Sequence, residues 1–201
     1  MEDLIQRLDT WLKKNRPEYY DYLLPGLSEL ELSKLEQTLG VELPTEFKLL
    51  YQWKNGQIGQ EGRLIPNLEW YNAKRIINSS RITPLIEEDG LINWTAEMWQ
   101  KDKAHKWVTF LTDSTANEYI LDLAGLFDGK KGQIICFWSD DNTNNKISHE
   151  SFYKWFETIV VAYESNFLAA DIWDTILEDY IDYQAYYKAN NPGYPIEIRL
   201  G

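Results

Sequence analysis

One cysteine and two histidines occur in 201 residues. A lone thiol excludes an intramolecular disulfide and suits a reducing compartment. Cys136 lies in the apolar run Gln133-Ile134-Ile135-Cys136-Phe137-Trp138. A small buried strand residue is expected there, since a reactive thiolate needs a part-exposed, electropositive setting. His105 and His149 have no ligand partner at short or helical spacing, so no metal site is expected. Positive charge is also scarce: 20 Lys and Arg face 32 Asp and Glu, a net of −12. That balance argues against sequence-independent nucleic-acid binding, which needs cations for the phosphates, and disfavours docking on anionic lipid. No apolar run approaches the roughly 20 residues of a membrane span. The chain opens on Met1-Glu2-Asp3 without the basic and apolar stretches of a signal peptide. A cytoplasmic location is expected. Walker loops, Gly-x-Gly-x-x-Gly and Gly-x-Ser-x-Gly are missing, which removes the sequence marks of phosphate cradling and of a nucleophile elbow. No cofactor and no catalytic residue is expected.

What is present is a rich supply of core material. Hydrophobic residues make up 44% and aromatics 14% of the chain, too much for disorder, and the length suits one domain. The charge is unevenly spread. Residues 1–60 hold 10 acids and 7 bases, 61–110 hold 7 and 7, 111–160 hold 8 and 4, and 161–201 hold 7 and 2. Nine of the twelve excess negative charges therefore lie beyond residue 110, and a partner steered by charge would meet that half first.

Leu4, Leu8, Trp11 and Leu12 form a helical stripe over residues 2–14, which Pro17 ends. A tyrosine-rich connection leads to Pro25-Gly26. Ser28 with Glu31 makes a capping box, Leu27 and Leu32 a hydrophobic staple, and Gly40 a C-terminal stop, so residues 29–39 are predicted helical. Pro44 opens another helix with Phe47, Leu50 and Tyr51 inward, stopped by Asn55-Gly56. Residues 63–65 read as a short strand, and 69–78 and 94–102 as helices flanking a turn at 87–90. Strands are predicted at 107–111, 118–123 and 133–139, joined as an antiparallel meander. An exposed loop follows at 140–145. Ser148 caps a helix containing Phe152, Trp155, Phe156, Ile159 and Tyr163. A further helix at 170–188 turns Trp173, Ile176, Leu177 and Tyr180 inward, and Ile196 to Leu200 forms an edge strand or a frayed tail. The fold class is α+β: a single domain whose mostly antiparallel sheet packs against helices on one face.

Candidate chemistry is thin. Glu87-Glu88-Asp89 and Asp140-Asp141 are the best carboxylates for acid and base work, although adjacent exposed carboxyls titrate normally. Residues 140–145 superficially resemble a calcium loop but lack the central glycine and the spaced terminal Glu. Trp11, Trp107, Trp138, Trp155 and Trp173 fall on core stripes or strands. Trp70, Trp94 and Trp99 lie in a less regular stretch, where exposed aromatic anchors are expected.

Leu24-Pro25-Gly26-Leu27-Ser28, followed by Leu35-Glu36-x-x-Leu39-Gly40-Val41-x-Leu43-Pro44-x-Glu46-Phe47-Lys48-x-Leu50-Tyr51 and Asn55-Gly56, resembles the opening of the SUKH superfamily. Trp107-Val108-x-Phe110, Asp113, Asn117 to Leu123, the strand at 133–138 and Ser151-Phe152-x-x-Trp155-Phe156 are similar to its later strands and closing helix. The resemblance covers residues 20–164, leaving an N-terminal helix over 1–19 and an acidic helical extension over 165–201 in the same globule. Ser114-Thr115-Ala116 lacks the glycine common in the family's turn at that point. The resemblance implies a SUKH-like, Smi/Knr-type domain without catalytic residues that works by binding protein. Bacterial members are commonly immunity proteins that neutralise cognate polymorphic toxins, often nucleases. An acidic surface can steer toward such a basic toxin by mimicking its substrate's charge. Asp113, Glu118, Asp140 and Asp141 are the expected partner-binding residues, because strand-end loops can gather carboxylates. The alternatives are a regulatory scaffold resembling the fungal cell-wall-assembly members, whose long disordered flanks are not expected here, or a glycan-binding protein or carboxylate-dependent hydrolase.

Overall fold

The computed structural model of the protein describes residues 1–59, 62–65, 68–80, 106–113, 117–127, 129–138, 145–167 and 181–198. Helix α1 (Glu2–Asn15) buries Leu4, Leu8 and Leu12 and leaves Trp11 half-buried against Tyr163, ring centroids 4.6 Å apart. Pro17 ends α1 as expected. It also sits in the first turn of α2 (Pro17–Tyr22), where the missing N–H costs no hydrogen bond, so the tyrosine-rich connection is helical and buries Tyr19. After β1 (Leu23–Pro25) comes α3 (Glu29–Leu39), with the predicted bounds. Ser28 Oγ accepts from the Glu31 N–H, Glu31 Oε2 accepts from the Ser28 N–H at 2.8 Å, and Gly40 closes the helix at φ 68°. Helix α4 (Thr45–Trp53) buries Phe47, Leu50 and Tyr51, with Pro44 as its cap rather than its first helical residue.

Asn55-Gly56 lies inside a strand, β2 (Lys54–Gln57), which pairs antiparallel with β1. Gly56 has φ 67°, and a Cβ there would fall 2.5 Å from the Tyr71 carbonyl oxygen, so the glycine answers both to its own backbone and to a crossing strand end. Leu64 and Ile65 are buried, but Ile65 pairs only with Leu68, whose N–H reaches back to the Ile65 carbonyl at 2.9 Å. The expected strand at 63–65 is thus reduced to a single bridge at Ile65.

The main sheet has the order β3-β4-β5-β6-β7-β8, antiparallel throughout: Glu69–Trp70, Trp107–Thr112, Glu118–Asp122, Gln133–Phe137, Lys146–His149 and Ile196–Glu197. The predicted meander is its centre. The helix expected over 69–78 divides: Glu69 and Trp70 join the sheet, and α5 (Ala73–Ser80) starts after Asn72, whose Oδ1 accepts from the Arg75 N–H. Ser148 belongs to β7 and donates to the Ile134 carbonyl; Ser151 caps the next helix instead, α6 (Phe152–Glu164), accepting from the Lys154 N–H at 3.2 Å. After α7 (Ile181–Asn190), β8 adds a two-residue edge strand, so the Ile196 segment pairs rather than frays. The expected elements at 87–90 and 94–102, and the start of the 170–188 helix, lie outside the described residues.

Helix α6 packs against α1, α4, β6 and β7. Around it Phe47, Phe110, Phe152 and Trp155 form an aromatic cluster, with Phe110 and Trp155 edge to face at 4.8 Å. Trp70, expected as an exposed anchor, is completely buried. Its Nε1 donates to the Tyr51 hydroxyl at 3.0 Å, which donates on to the Tyr71 carbonyl, so the core takes in both the ring and its polar edge. The sheet is apolar on both faces. Leu121 and Ile134 face the helices, while the register row Ile120, Ile135 and Ile147 is buried on the opposite side with Ile198. The second apolar face corrects the expectation of one covered face. The fold is α+β in a single domain. No helix among the described residues is long and apolar enough to cross a membrane.

Candidate functional site

The turn between β4 and β5 holds two of the four expected carboxylates. Asp113 clamps this turn: its two oxygens accept from the backbone N–H and the side-chain Nδ2 of Asn117, at 2.9 and 2.8 Å. Thr112 Oγ1 closes it by donating to the Asn117 carbonyl. Glu118 opens β5 and is half-buried. Thr109 Oγ1 donates to it at 3.2 Å, but burial dominates and pushes the carboxyl up to about 7. Asp113 therefore has a structural task, and Glu118 carries a fractional charge at neutral pH.

Asp140 and Asp141 lie outside the described residues, but the ends of their connection are defined. Phe137, the last residue of β6, is the register partner of Glu118. The chain thus leaves β6 at the same end of the sheet as the β4–β5 turn. It returns through Asn145, whose Oδ1 accepts from the Trp138 N–H at 2.7 Å and whose carbonyl accepts from Ile198 N–H. Antiparallel topology thus puts the described ends of both connections, Asp113 with Asn117 and Phe137 with Asn145, at one end of the sheet.

At the other end, Asp122 is an acidic residue that composition and spacing did not single out. It is fully buried, and its carboxylate accepts from Trp107 Nε1, the N–H groups of Ala124, Gly125 and Leu126, and Gln133 Nε2, at 2.7 to 3.1 Å. Five donors converging on one carboxylate replace its lost hydration and fix the β5–β6 turn. The run Asp122-x-Ala124-Gly125 was the available signal, a side chain positioned to bond its own backbone a few residues on.

A second feature missed from the sequence is a cleft of about 240 Å³ between the β5–β7 strands and α7. Tyr119 and Cys136 line the sheet side, Tyr183 and Tyr187 the helix side, with Pro195, Lys146 and Lys188 also on its walls. Tyr183 and Tyr187 continue at i and i+4 the inward stripe read for the 170–188 helix, which was the available signal. His149 lies beneath the Tyr187 ring, edge to face at 5.1 Å. With the Ser148 hydroxyl proton directed to the Ile134 carbonyl, His149 pairs as the tautomer that donates from Nδ1 across its 3.0 Å contact with Ser148 Oγ. Nε2 is then an acceptor; it is buried and has no hydrogen-bond partner among the described residues. Burial pushes this imidazole down to about 3, so it is neutral at pH 7.

Cys136 is buried, as expected of a strand residue. His105, Glu87, Glu88, Asp89, Trp94, Trp99 and Trp173 lie outside the described residues, so no reading that rests on them is placed. Among the described residues no three His, Cys, Asp or Glu side chains gather as a metal site would require.

Residues 26–158 match the model of the SMI1 / KNR4 family (SUKH-1), 133 of the 201 residues. The chain is 25% identical to a Neurospora crassa protein named "Glucan synthesis regulatory protein", over 69% of this chain and 34% of that one. It is also 25% identical to "KNR4/SMI1 homolog 2" of Debaryomyces hansenii, over 71% of this chain and 32% of that one. The chain thus spans about a third of the length of these relatives. The matched region runs from Gly26, ahead of the capping box of α3, through the sheet strands β3 to β7 into α6, and the chain belongs to the SMI1/KNR4 family.

Proposed function

We propose that the protein is a non-enzymatic binding module of the immunity type, which neutralises a cognate toxin by direct contact in the cytoplasm. The observation that carries this reading is that the β4–β5 and β6–β7 connections both begin and end at one end of the main sheet, in a chain whose excess negative charge lies mostly beyond residue 110. Such an end would raise the encounter rate with a basic, nuclease-like surface. Asp140 and Asp141 would supply the steering charge. Asp113 would hold the turn, and Glu118 would respond to a cation by ionising fully. The regulatory name of the Neurospora relative fits a role exerted through binding rather than catalysis.

That same name supports a second reading, a regulatory scaffold that binds host proteins. Calorimetric titration of the full chain against any toxin whose gene adjoins its own separates the two. Binding tighter than micromolar in low salt supports the immunity reading. No binding under those conditions removes it in favour of the scaffold.

A further inference from the structure

A row of isoleucines on the second face of the main sheet crosses four strands. Ile120 pairs with Ile135, Ile135 with Ile147 and Ile147 with Ile196, so β8 ends a ladder of β-branched side chains. Ile198 lies two residues on and shares that face. It is 5% exposed among Ile120, Ile135 and Ile147, whereas Ile196 is 42% exposed. The backbone is held at the same two places. Ile198 N–H donates to the Asn145 carbonyl at 2.9 Å, and the register makes Ile196 and Ile147 the other hydrogen-bonded pair. Between the buried Asn191 and Ile198, the residues Pro192, Gly193, Pro195, Ile196 and Glu197 are all exposed. The segment thus grips the sheet through two backbone pairs, the Ile198 side chain and the half-buried Tyr194 ring. It also lies beyond residues 26–158, so within the family match β7 is the last strand and β8 is an addition that covers it.

We infer that residues 194–198 are a releasable strap over a strand-accepting edge, and that β7, once uncovered, takes an extended segment of a protein partner. The strap itself defines that occupant: β-branched aliphatic residues two apart, one ending the Ile120–Ile135–Ile147 row and one filling the Ile198 socket. Main-chain pairing with Asn145 and Ile147 supplies affinity, and the two side-chain positions supply selectivity. Local opening suits a short edge strand with few buried apolar contacts, whereas β5 and β6 have paired neighbours on both sides and open with the core. The tethered strap competes at an effective concentration on the order of millimolar, so the closed protein resists an outside strand and hides its edge from stray pairing.

The test uses the full chain carrying Ile198→Asp, whose carboxylate cannot occupy an isoleucine socket, with a synthetic peptide of residues 191–198 as the probe. In native-state hydrogen exchange the variant should lose about tenfold or more protection at Asn145, Ile147, Ile196 and Ile198, and keep it at residues 119–121 and 134–136. Adding the peptide should restore protection at Asn145 and Ile147 saturably, and wild type should bind it at least about tenfold more weakly because its own strap competes. A control peptide carrying Ile196→Asp and Ile198→Asp should restore nothing. Protection lost in step throughout the sheet, in Ile198→Asp or in the milder Ile198→Ala, would overturn the proposal by making the segment part of the cooperative core. So would a peptide that restores no protection, one that binds wild type and variant equally, or a control peptide that works as well.

Discussion

Glu118→Gln separates the electrostatics of the acidic sheet end from its packing. The glutamine keeps the size of the side chain and an oxygen for Thr109 Oγ1, and removes only the ionisable group. In the folded chain the Glu118 carboxyl is raised from 4.5 to about 7 by burial, so folding favours its neutral form. The stability this gives is fully present below pH 4.5 and is lost as the pH rises through 7, because the unfolded chain releases the proton first. Linkage over that interval makes ionised Glu118 cost about 3 kcal/mol at pH 8 and about 1 kcal/mol at pH 5. Glu118→Gln should therefore stabilise the protein by about 2 kcal/mol more at pH 8 than at pH 5. Urea unfolding of both chains at the two pH values measures this, and the slope with denaturant should stay the same. An equal difference at both pH values would refute the account of Glu118 as a desolvated carboxyl without a cation.

His149 predicts the opposite trend on acidification. Its folded value near 3 lies below the ordinary 6.5, so stability present above pH 6.5 is lost as the pH falls toward 3, at up to about 1.4 kcal/mol per pH unit. His149→Phe should flatten that slope in acid unfolding curves. Asp122→Ala strands five donors at the β5–β6 turn and should cost about 3 to 5 kcal/mol, read as a lower urea midpoint, whereas Asp113→Ala frees the two donors of the Asn117 clamp and should cost less, about 1 to 2 kcal/mol.

Local chemistry was legible wherever a signal sat within a few residues. The capping box at Ser28, the glycine stop at Gly40 and the alternation in β4 to β6 each need only their neighbours, and α3 and the meander follow from them. What was not legible depended on distant partners. β2 and β3 are short, and become strands only because β1 and β4 are there to pair with them. Ser148 reads as a helix cap until β6 recruits it into a ladder, and Trp70 reads as exposed until Tyr51 gives its Nε1 an acceptor. The candidate site shows the same division. Charge asymmetry and loop carboxylates were visible in composition, while the desolvation of Glu118, the structural duty of Asp113 and the cleft under α7 arise from packing. The family resemblance worked for the fold because dispersed core positions carry it, and those positions say little about which surface meets a partner.

The central proposal, that one end of the sheet steers the protein to a basic toxin, is tested most directly by stopped-flow association with a candidate basic nuclease-type toxin that the protein binds, across a series of salt concentrations. Wild-type association should slow at least tenfold between roughly 20 and 500 mM salt, and the charge-reversing pair Asp140→Lys and Asp141→Lys should remove most of that dependence while the protein stays folded. An association rate that ignores salt, or a reversed pair that associates as fast as wild type, would contradict the account.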